Sequence, residues 1–338
     1  MKTPRPVLFA AALLATVTVA ACGSSAGSAK SSADAGTDVV LRLPDPGNSG
    51  FLAKGKKDGS LDRALAAVHA KVAWTGSAGA FAPAAQALSA DQLDFAQGSI
   101  TSAVAALAQK PGFKLFAQNA PDAVGEGILV KNGSPVTTVR DLVGKKVACS
   151  QGGTSEYLLL KALEKNGIPA DQVERVYLRP DQTAGVFNSG QVDAWATWNT
   201  FSTPEIANSG AHFLVNGKDV GSDNYAVWAV RNGFADKNPA VVAAFYRYLH
   251  ENGLQEKADP AGYLNVVTDS GPTAVTPAEK EVAVNVTRQG ATADVITDAD
   301  LVRFGTVAQF FADQKVTKSL IDVKPYVLDV SKLPGGGQ

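Results

Sequence analysis

From Val39 onward, strand-like runs alternate with helical ones, and the alternation restarts once. That rhythm constrains the fold most, because strand–helix–strand order builds parallel β pairs with helices on their faces. The run Val39-Val40-Leu41-Arg42-Leu43 leads to helix Leu61–His69 and strand Val72-Ala73-Trp74. Helix Phe81–Leu88, strand Leu93–Ala96, helix Ser102–Gln109 and strand Phe113–Phe116 follow. The restart gives strand Val147–Cys149, helix Ser155–Lys165, strand Val173–Leu178, helix Thr183–Asn188 and strand Val192–Thr197. After Arg231, helices dominate: Pro239–Glu251, Pro277–Thr287 and Asp298–Gln314. The expected fold is α/β with mostly parallel strands.

The two series echo each other. Ala78-Gly79-Ala80-Phe81 leads through a helix to Leu93-Asp94-Phe95, and Ala184-Gly185-Val186-Phe187 leads to Val192-Asp193-Ala194-Trp195. With 302 residues from position 37 on, the length suits about two domains. Extended runs Glu126–Lys131 and Tyr225–Arg231 flank the middle block, so they are read as the chain crossings, near 128–130 and 226–231. Lobe 1 is then 37–127 plus 232–338, and lobe 2 is 131–225. A two-lobed α/β protein places its ligand in the cleft where strand ends meet helix starts.

Composition removes several functions. Lys and Arg number 31 against 32 Asp and Glu, a balance without the basic excess of a nucleic-acid protein. Three scattered histidines (His69, His212, His250) and two cysteines make neither a standard zinc site nor a disulfide framework. No cofactor and no metal are expected. The start is an export signal: Lys2 and Arg5 precede the apolar run Val7–Val19, whose thirteen positions fall short of the roughly 20 that span a bilayer. Val19-Ala20-Ala21-Cys22 resembles a bacterial lipobox, which makes 1–21 a lipoprotein signal peptide and Cys22 the lipid-attachment residue. Small polar residues over 22–36 read as a flexible tether reaching about 20 Å. Cys149 lies in an apolar strand run, which suits a buried thiol more than a nucleophile.

Two strand-to-helix bends carry candidate chemistry. In Cys149-Ser150-Gln151-Gly152-Gly153-Thr154-Ser155 a strand ends, two glycines follow and hydroxyl residues open a helix. Unpaired N–H groups at a helix start bind anions, glycines let the anion approach, and Thr154 and Ser155 add donors. Capping of the helix by its own Thr154 or Ser155 suits the same residues equally well. Gln97-Gly98-Ser99-Ile100-Thr101-Ser102 is a second bend of this type, with Ser99 and Thr101 facing the cleft or capping their helix. In Val192-Asp193-Ala194-Trp195-Ala196-Thr197-Trp198, alternation puts Trp195 and Thr197 on one face and Trp198 on the other. One tryptophan is expected in the core; Trp198 suits an apolar wall for a ligand's carbon tail. Asp193 is expected to fix the preceding turn.

From about Val39 to Asn232 the chain resembles the substrate-binding proteins of ABC importers for alkanesulfonates, taurine and nitrate. The strongest stretches are Glu126-Gly127-Ile128-Leu129-Val130, Asp141-Leu142-Val143-Gly144-Lys145-Lys146-Val147-Ala148, Gly152–Gly167 and Gly190–Trp198. The resemblance implies a periplasmic-binding-protein-like fold of type II, a Venus flytrap closing on a small organic anion or zwitterion, sulfonate-type foremost. It implies delivery to an ABC permease with its ATPase, and it puts Ser99, Thr101, Gly153, Thr154, Ser155 and Trp198 at the ligand. Three departures add residues. Asn199 stands where taurine-type members have Asp, Asp45 with Glu126 would repel a simple anion, and Arg179 offers a cation to one. Together these describe an extracytoplasmic, membrane-anchored solute-binding protein. The rivals are an enzyme on the same fold, desulfinase-like or pyrimidine-synthase-like, and a scaffold lipoprotein without a small ligand.

Overall fold

The computed structural model describes residues 38–109, 111–121 and 123–336; the signal, Cys22 and the tether lie outside them. The first stretch holds β1 (Val39–Asp45), α1 (Phe51–Asp58), α2 (Ser60–Ala66), β2 (Ala70–Ser77), α3 (Phe81–Ser89), β3 (Phe95–Ser99), α4 (Ile100–Leu107) and β4 (Phe113–Asn119). The middle holds β5 (Glu126–Val130), β6 (Lys146–Cys149), α5 (Thr154–Lys165), β7 (Glu174–Tyr177), α6 (Pro180–Asn188), β8 (Ala194–Trp198), α7 (Asn199–Ser209), β9 (His212–Asn216) and α8 (Gly217–Val220). The chain ends with β10 (Ala226–Arg231), α9 (Asn232–Lys237), α10 (Pro239–Ala258), α11 (Pro277–Gln289) and α12 (Asp298–Asp313).

β1 pairs with β2, β3 and β4 flank β10, and a five-stranded sheet runs β7-β6-β8-β5-β9. The expected α/β class holds, but the strands are not mostly parallel. Pairs β1–β2, β6–β7 and β6–β8 are parallel; β10 runs against β3 and β4, and β5 against β8 and β9. Each of β5 and β10 enters from the other sheet's stretch and inserts between strands it opposes.

The runs near 128–130 and 226–231, read as crossings, therefore lie inside the sheets. All five residues of β5 are buried, as are the four central residues of β10. Gly-Ile-Leu-Val and Val-Trp-Ala-Val are too apolar to leave in water as exposed links. The chain passes between the sheets after β4 and before β5, and again between α8 and β10.

Aromatic rings fill the core on one side of the β3–β10–β4 sheet. Phe95 meets Phe245 at 4.8 Å, Phe234 at 5.3 Å and Phe116 at 5.5 Å between centroids, in edge-to-face geometry. On the other side Ile100, Val104, Phe113, Phe304 and Phe311 pack together. α5 serves two cores: Leu158, Leu159 and Leu163 pack on the five-stranded sheet, while Tyr157 and Leu160 pack with the cluster of Phe304 and Phe311.

The sequence echo has a structural basis. Asp94 takes the Arg42 backbone N–H at 3.0 Å and its own N–H donates to the Arg42 carbonyl at 3.1 Å. Asp193 repeats this with Lys146, at 2.8 Å for both bonds. Each aspartate thus stitches the entry of its strand to a neighbouring strand, rather than fixing a turn within its own segment. Asp94 also accepts from Arg42 Nε at 2.8 Å and from Arg231 Nε at 2.9 Å and Nη2 at 2.8 Å. Burial alone would raise its carboxyl pKa, but the bonds from Arg42 and Arg231 outweigh it and hold the group below the ordinary value of 3.8.

Asp94→Ala should destabilise the protein by about 3 kcal/mol in urea unfolding, because two arginines lose a nearly fully buried partner. A lowered carboxyl pKa stabilises above the unfolded value and loses that contribution as pH falls through the folded one. The deficit of Asp94→Ala should therefore be full at pH 6 and shrink below about pH 3.8.

Candidate functional site

The two Gly/Ser/Thr bends meet. Ser99 ends β3 and caps α4, its Oγ accepting from the Ser102 N–H at 3.3 Å. Facing it, the β6–α5 turn needs glycine at 152, where φ is +65° and a Cβ would lie 3.2 Å from the Ala105 methyl. Ser155 is consumed inside this turn, accepting from the Ser150 N–H at 2.8 Å and lying 2.7 Å from Ser150 Oγ. Gly153 caps α5 without a side chain, and a Cβ there would come 3.4 Å from Ser102 Oγ. Thr154 instead points across: its Oγ1 donates to Ser99 Oγ at 3.0 Å.

Asn224, in the linking stretch before β10, ties these groups to β5. Its Oδ1 accepts from Thr101 Oγ1 at 2.8 Å, and its Nδ2 donates to Thr154 Oγ1 at 3.1 Å and to Glu126 Oε2 at 2.8 Å. Ser222 Oγ donates to Glu126 Oε1 at 2.7 Å. Thr101, Glu126, Thr154, Ser222 and Asn224 are all buried. A glycine at 217 makes room for the carboxylate, since a Cβ there would sit 2.8 Å from Glu126 Oε1. Next along the link, the Asp223 N–H donates to Tyr157 Oη at 3.2 Å.

The structure thus brings Ser99, Thr101, Gly153, Thr154 and Glu126 together, but their polar groups bond one another. Glu126 faces Ser222 and Asn224, not a solute. Trp198 adjoins the cluster, opposite Glu126 in the β5–β8 register, half-buried and edge-on to Phe201 at 5.1 Å. Trp195 is the core member, buried against Phe187. Asn199 opens α7, exposed, with Oδ1 accepting from the Thr200 N–H at 3.0 Å.

Two expected residues stand apart. Asp45 pairs with Lys56 at 2.5 Å, which together with the Gly47 N–H holds its carboxyl below the usual range. The pairing offsets the repulsion expected of it. Arg179 is 73% exposed and forms two bonds with Asp181, two residues on, so its charge is already matched locally. Asn224 and Ser222 escaped the sequence reading because a Gly-Ser-Asp-Asn run signals only a turn, and Glu126 lies 98 residues away.

Cys149 is buried, and burial, aided by the charge of Glu156, pushes its thiol up to about 12. Such a thiol is a poor nucleophile at neutral pH. His212 is exposed at the start of β9, paired in register with Val130. Among the described residues no group of three or more His, Cys, Asp or Glu is placed to hold a metal ion, and no helix is long and apolar enough to cross a membrane.

Sheets of mixed direction, linked by two short stretches and flanked by helices, define the architecture of the periplasmic binding proteins. The chain matches the alkanesulfonate-binding protein SsuA from Xanthomonas axonopodis pv. citri, solved bound to MOPS, with a TM-score of 0.78 and 23% identity over 86% of this chain and 98% of that one. Residues 79–261 match the model of the NMT1/THI5-like family, and the chain belongs to that family. A Bacillus subtilis (strain 168) protein named for aliphatic-sulfonate binding is 27% identical over 248 residues, 73% of this chain and 72% of that protein. An Escherichia coli (strain K12) protein of the same name is 32% identical over 197 residues, 54% of this chain and 60% of that one. The desulfurization enzyme DszB shares the fold at 16% identity, with a TM-score of 0.59 over 86% of this chain and 96% of that one. The family resemblance read from the sequence is borne out.

Asn224→Ala should cost about 2–3 kcal/mol in denaturant unfolding, since it leaves Glu126 and Thr101 short of buried partners. In a Cys22→Ser background, Cys149 should react with a disulfide reagent at pH 8 at least about a hundredfold faster in urea than when folded. Comparable rates would show the thiol to be accessible.

Proposed function

We propose that this chain is the extracytoplasmic, lipid-anchored solute-binding protein of an ABC importer. It takes a small organic anion or zwitterion, sulfonate-type foremost, and hands it to a permease. The observation that carries the reading is the meeting of the two bends. Helix starts from opposite sheets come together beside the two links that join those sheets among the described residues, with Thr154 and Ser99 3.0 Å apart. The elements up to β4 plus those from β10 on then act as one lobe and β5 to α8 as the other, turning about the short links between β4 and β5 and between α8 and β10. The family membership and the aliphatic-sulfonate names of its relatives support the ligand class.

Mechanistically, opening exchanges the Thr154–Ser99 bond for bonds to water or to a ligand's oxygens. Ser99 is half-buried, so that exchange costs little. A ligand that touches both bends favours the closed state by its differential affinity. Trp198 stands beside the cluster as an apolar wall, Asn199 follows it, and Arg179 lies at a strand end facing solvent. An enzymatic reading on this fold requires an activated nucleophile, and the Cys149 thiol, buried and raised, does not supply one.

Thermal-shift titration of aliphatic sulfonates, taurine and nitrate tests the proposal. A bound solute at 100 times its dissociation constant should add about 2.7 kcal/mol of stability and alter tryptophan emission. A panel that moves neither the melting temperature nor the emission would overturn it.

A further inference from the structure

The segment that carries α11 is tied at both ends to the lobe of β1 and β4. At its start Asn48, just after β1, accepts at Oδ1 from the Val267 and Thr268 N–H groups at 2.8 and 3.0 Å. Its Nδ2 donates to the Thr268 and Thr273 carbonyls at 2.9 and 3.0 Å. At the far end Gln118 and Asp294 exchange backbone bonds at 2.9 and 2.7 Å, and Asn119 Nδ2 donates to the Ala291 carbonyl at 2.9 Å. Between these anchors α11 lies on α7, which belongs to the other lobe. Val286 and Asn199 meet over Gly125, where a Cβ would sit 2.9 Å from Val286 Cγ1 and 3.1 Å from Asn199 Cβ. Farther along, Asn208 Nδ2 donates to Glu279 Oε1 at 2.9 Å. The two helices therefore run antiparallel, in contact over roughly 10 Å.

A second contact between the lobes differs in kind. Tyr157 of α5 meets Phe310 and Phe311 of α12 at 5.3 and 6.0 Å between centroids, and Tyr157 and Phe311 are at most 1% exposed. Parting them would bring large rings into water. No residue of α11 is buried; Val282 and Val286, one turn apart, are half-buried, and Asn208 is exposed. Parting α11 from α7 releases little apolar surface, and water replaces the single hydrogen bond. We propose that α11 is a strap carried by one lobe and laid on α7 of the other. It fastens the lobes in the mutual position seen here, and the lobes part along it while α5 and α12 stay packed. The fastening is read from these contacts alone; that a solute passes where the strap lifts rests on the solute-binding reading.

Small-angle X-ray scattering of the whole chain without added solute reads the fastening. Asn208→Ala/Val286→Ala should have a larger radius of gyration than the wild type. An equal radius would overturn the strap, whatever the variant does to the urea midpoint. Stopped-flow release of ethanesulfonate reads the passage and should be about tenfold faster in that variant. An unchanged release rate would also overturn it. Asn208→Cys/Glu279→Cys in the Cys22→Ser background, joined by a short thiol-cleavable crosslinker, should neither take up nor release ethanesulfonate until the link is cut. Free exchange in the joined chain would overturn the proposal, and this arm stands alone should the alanine variant fail to fold. A chain that binds no sulfonate or nitrate would overturn the solute-binding reading, and the scattering comparison would still decide the strap.

Discussion

The side-chain amide of Asn224 is the point on which the arrangement of the two sheets depends. It sits on one of the two links between them and bonds to Thr101 beside one bend, Thr154 at the other, and Glu126 at the entry of β5. A buried amide that lost these partners would pay its desolvation in full, so the cluster favours one mutual position of the elements it joins. The bonds within it are unequal in kind. Those from Asn224 and Ser222 to Glu126 are buried and tie the two linking stretches together. The Thr154–Ser99 bond joins the bends themselves, and one of its members reaches solvent. The bonds at the links are thus shielded from water, while the bond between the bends is partly open to it.

The same economy governs the strand entries. Asp94 and Asp193 use one geometry, a carboxylate on a neighbour's N–H and a backbone N–H on its carbonyl. Asp94 differs by being almost fully buried, and two arginines match its charge. The hydrophobic-Asp-aromatic pattern is therefore a sheet-registering device used twice, once neutralised in the interior and once at the surface.

Much of this was legible in the sequence because it is local. Periodicity marks most strands and helices, and Gly152-Gly153-Thr154 announces the turn that approaches α4. What escaped depends on distant residues. The amide of Asn224 and the carboxylate of Glu126 acquire meaning only when folded together. α1 was hidden by three lysines and by Gly55, whose missing Cβ leaves space for the Tyr248 hydroxyl. α7 was hidden by Pro204 in its interior. The antiparallel strands were invisible because their direction follows from where the chain enters a sheet, which hydropathy does not encode. Asp45 and Arg179 read as free charges until their partners, Lys56 and Asp181, were placed.

Charge and hydrogen-bond compensation marks the structural carboxylates. Glu156 holds the Gly152 N–H, Arg175 and Tyr177, while Glu126 holds Ser222 and Asn224. Asp94 has its arginines. Each is a solved problem of desolvation and therefore belongs to the frame. Glu205 departs from this: Asn188 donates to its Oε1 at 3.2 Å, but its buried Oε2 has no partner among the described residues. Glu256 accepts the Phe51 N–H at 3.3 Å and lies on a cavity wall with Asn119, whose buried Oδ1 has no partner. Half-buried, Glu256 can be hydrated where a fully buried acid must be bonded, so its sparse bonding costs the fold little.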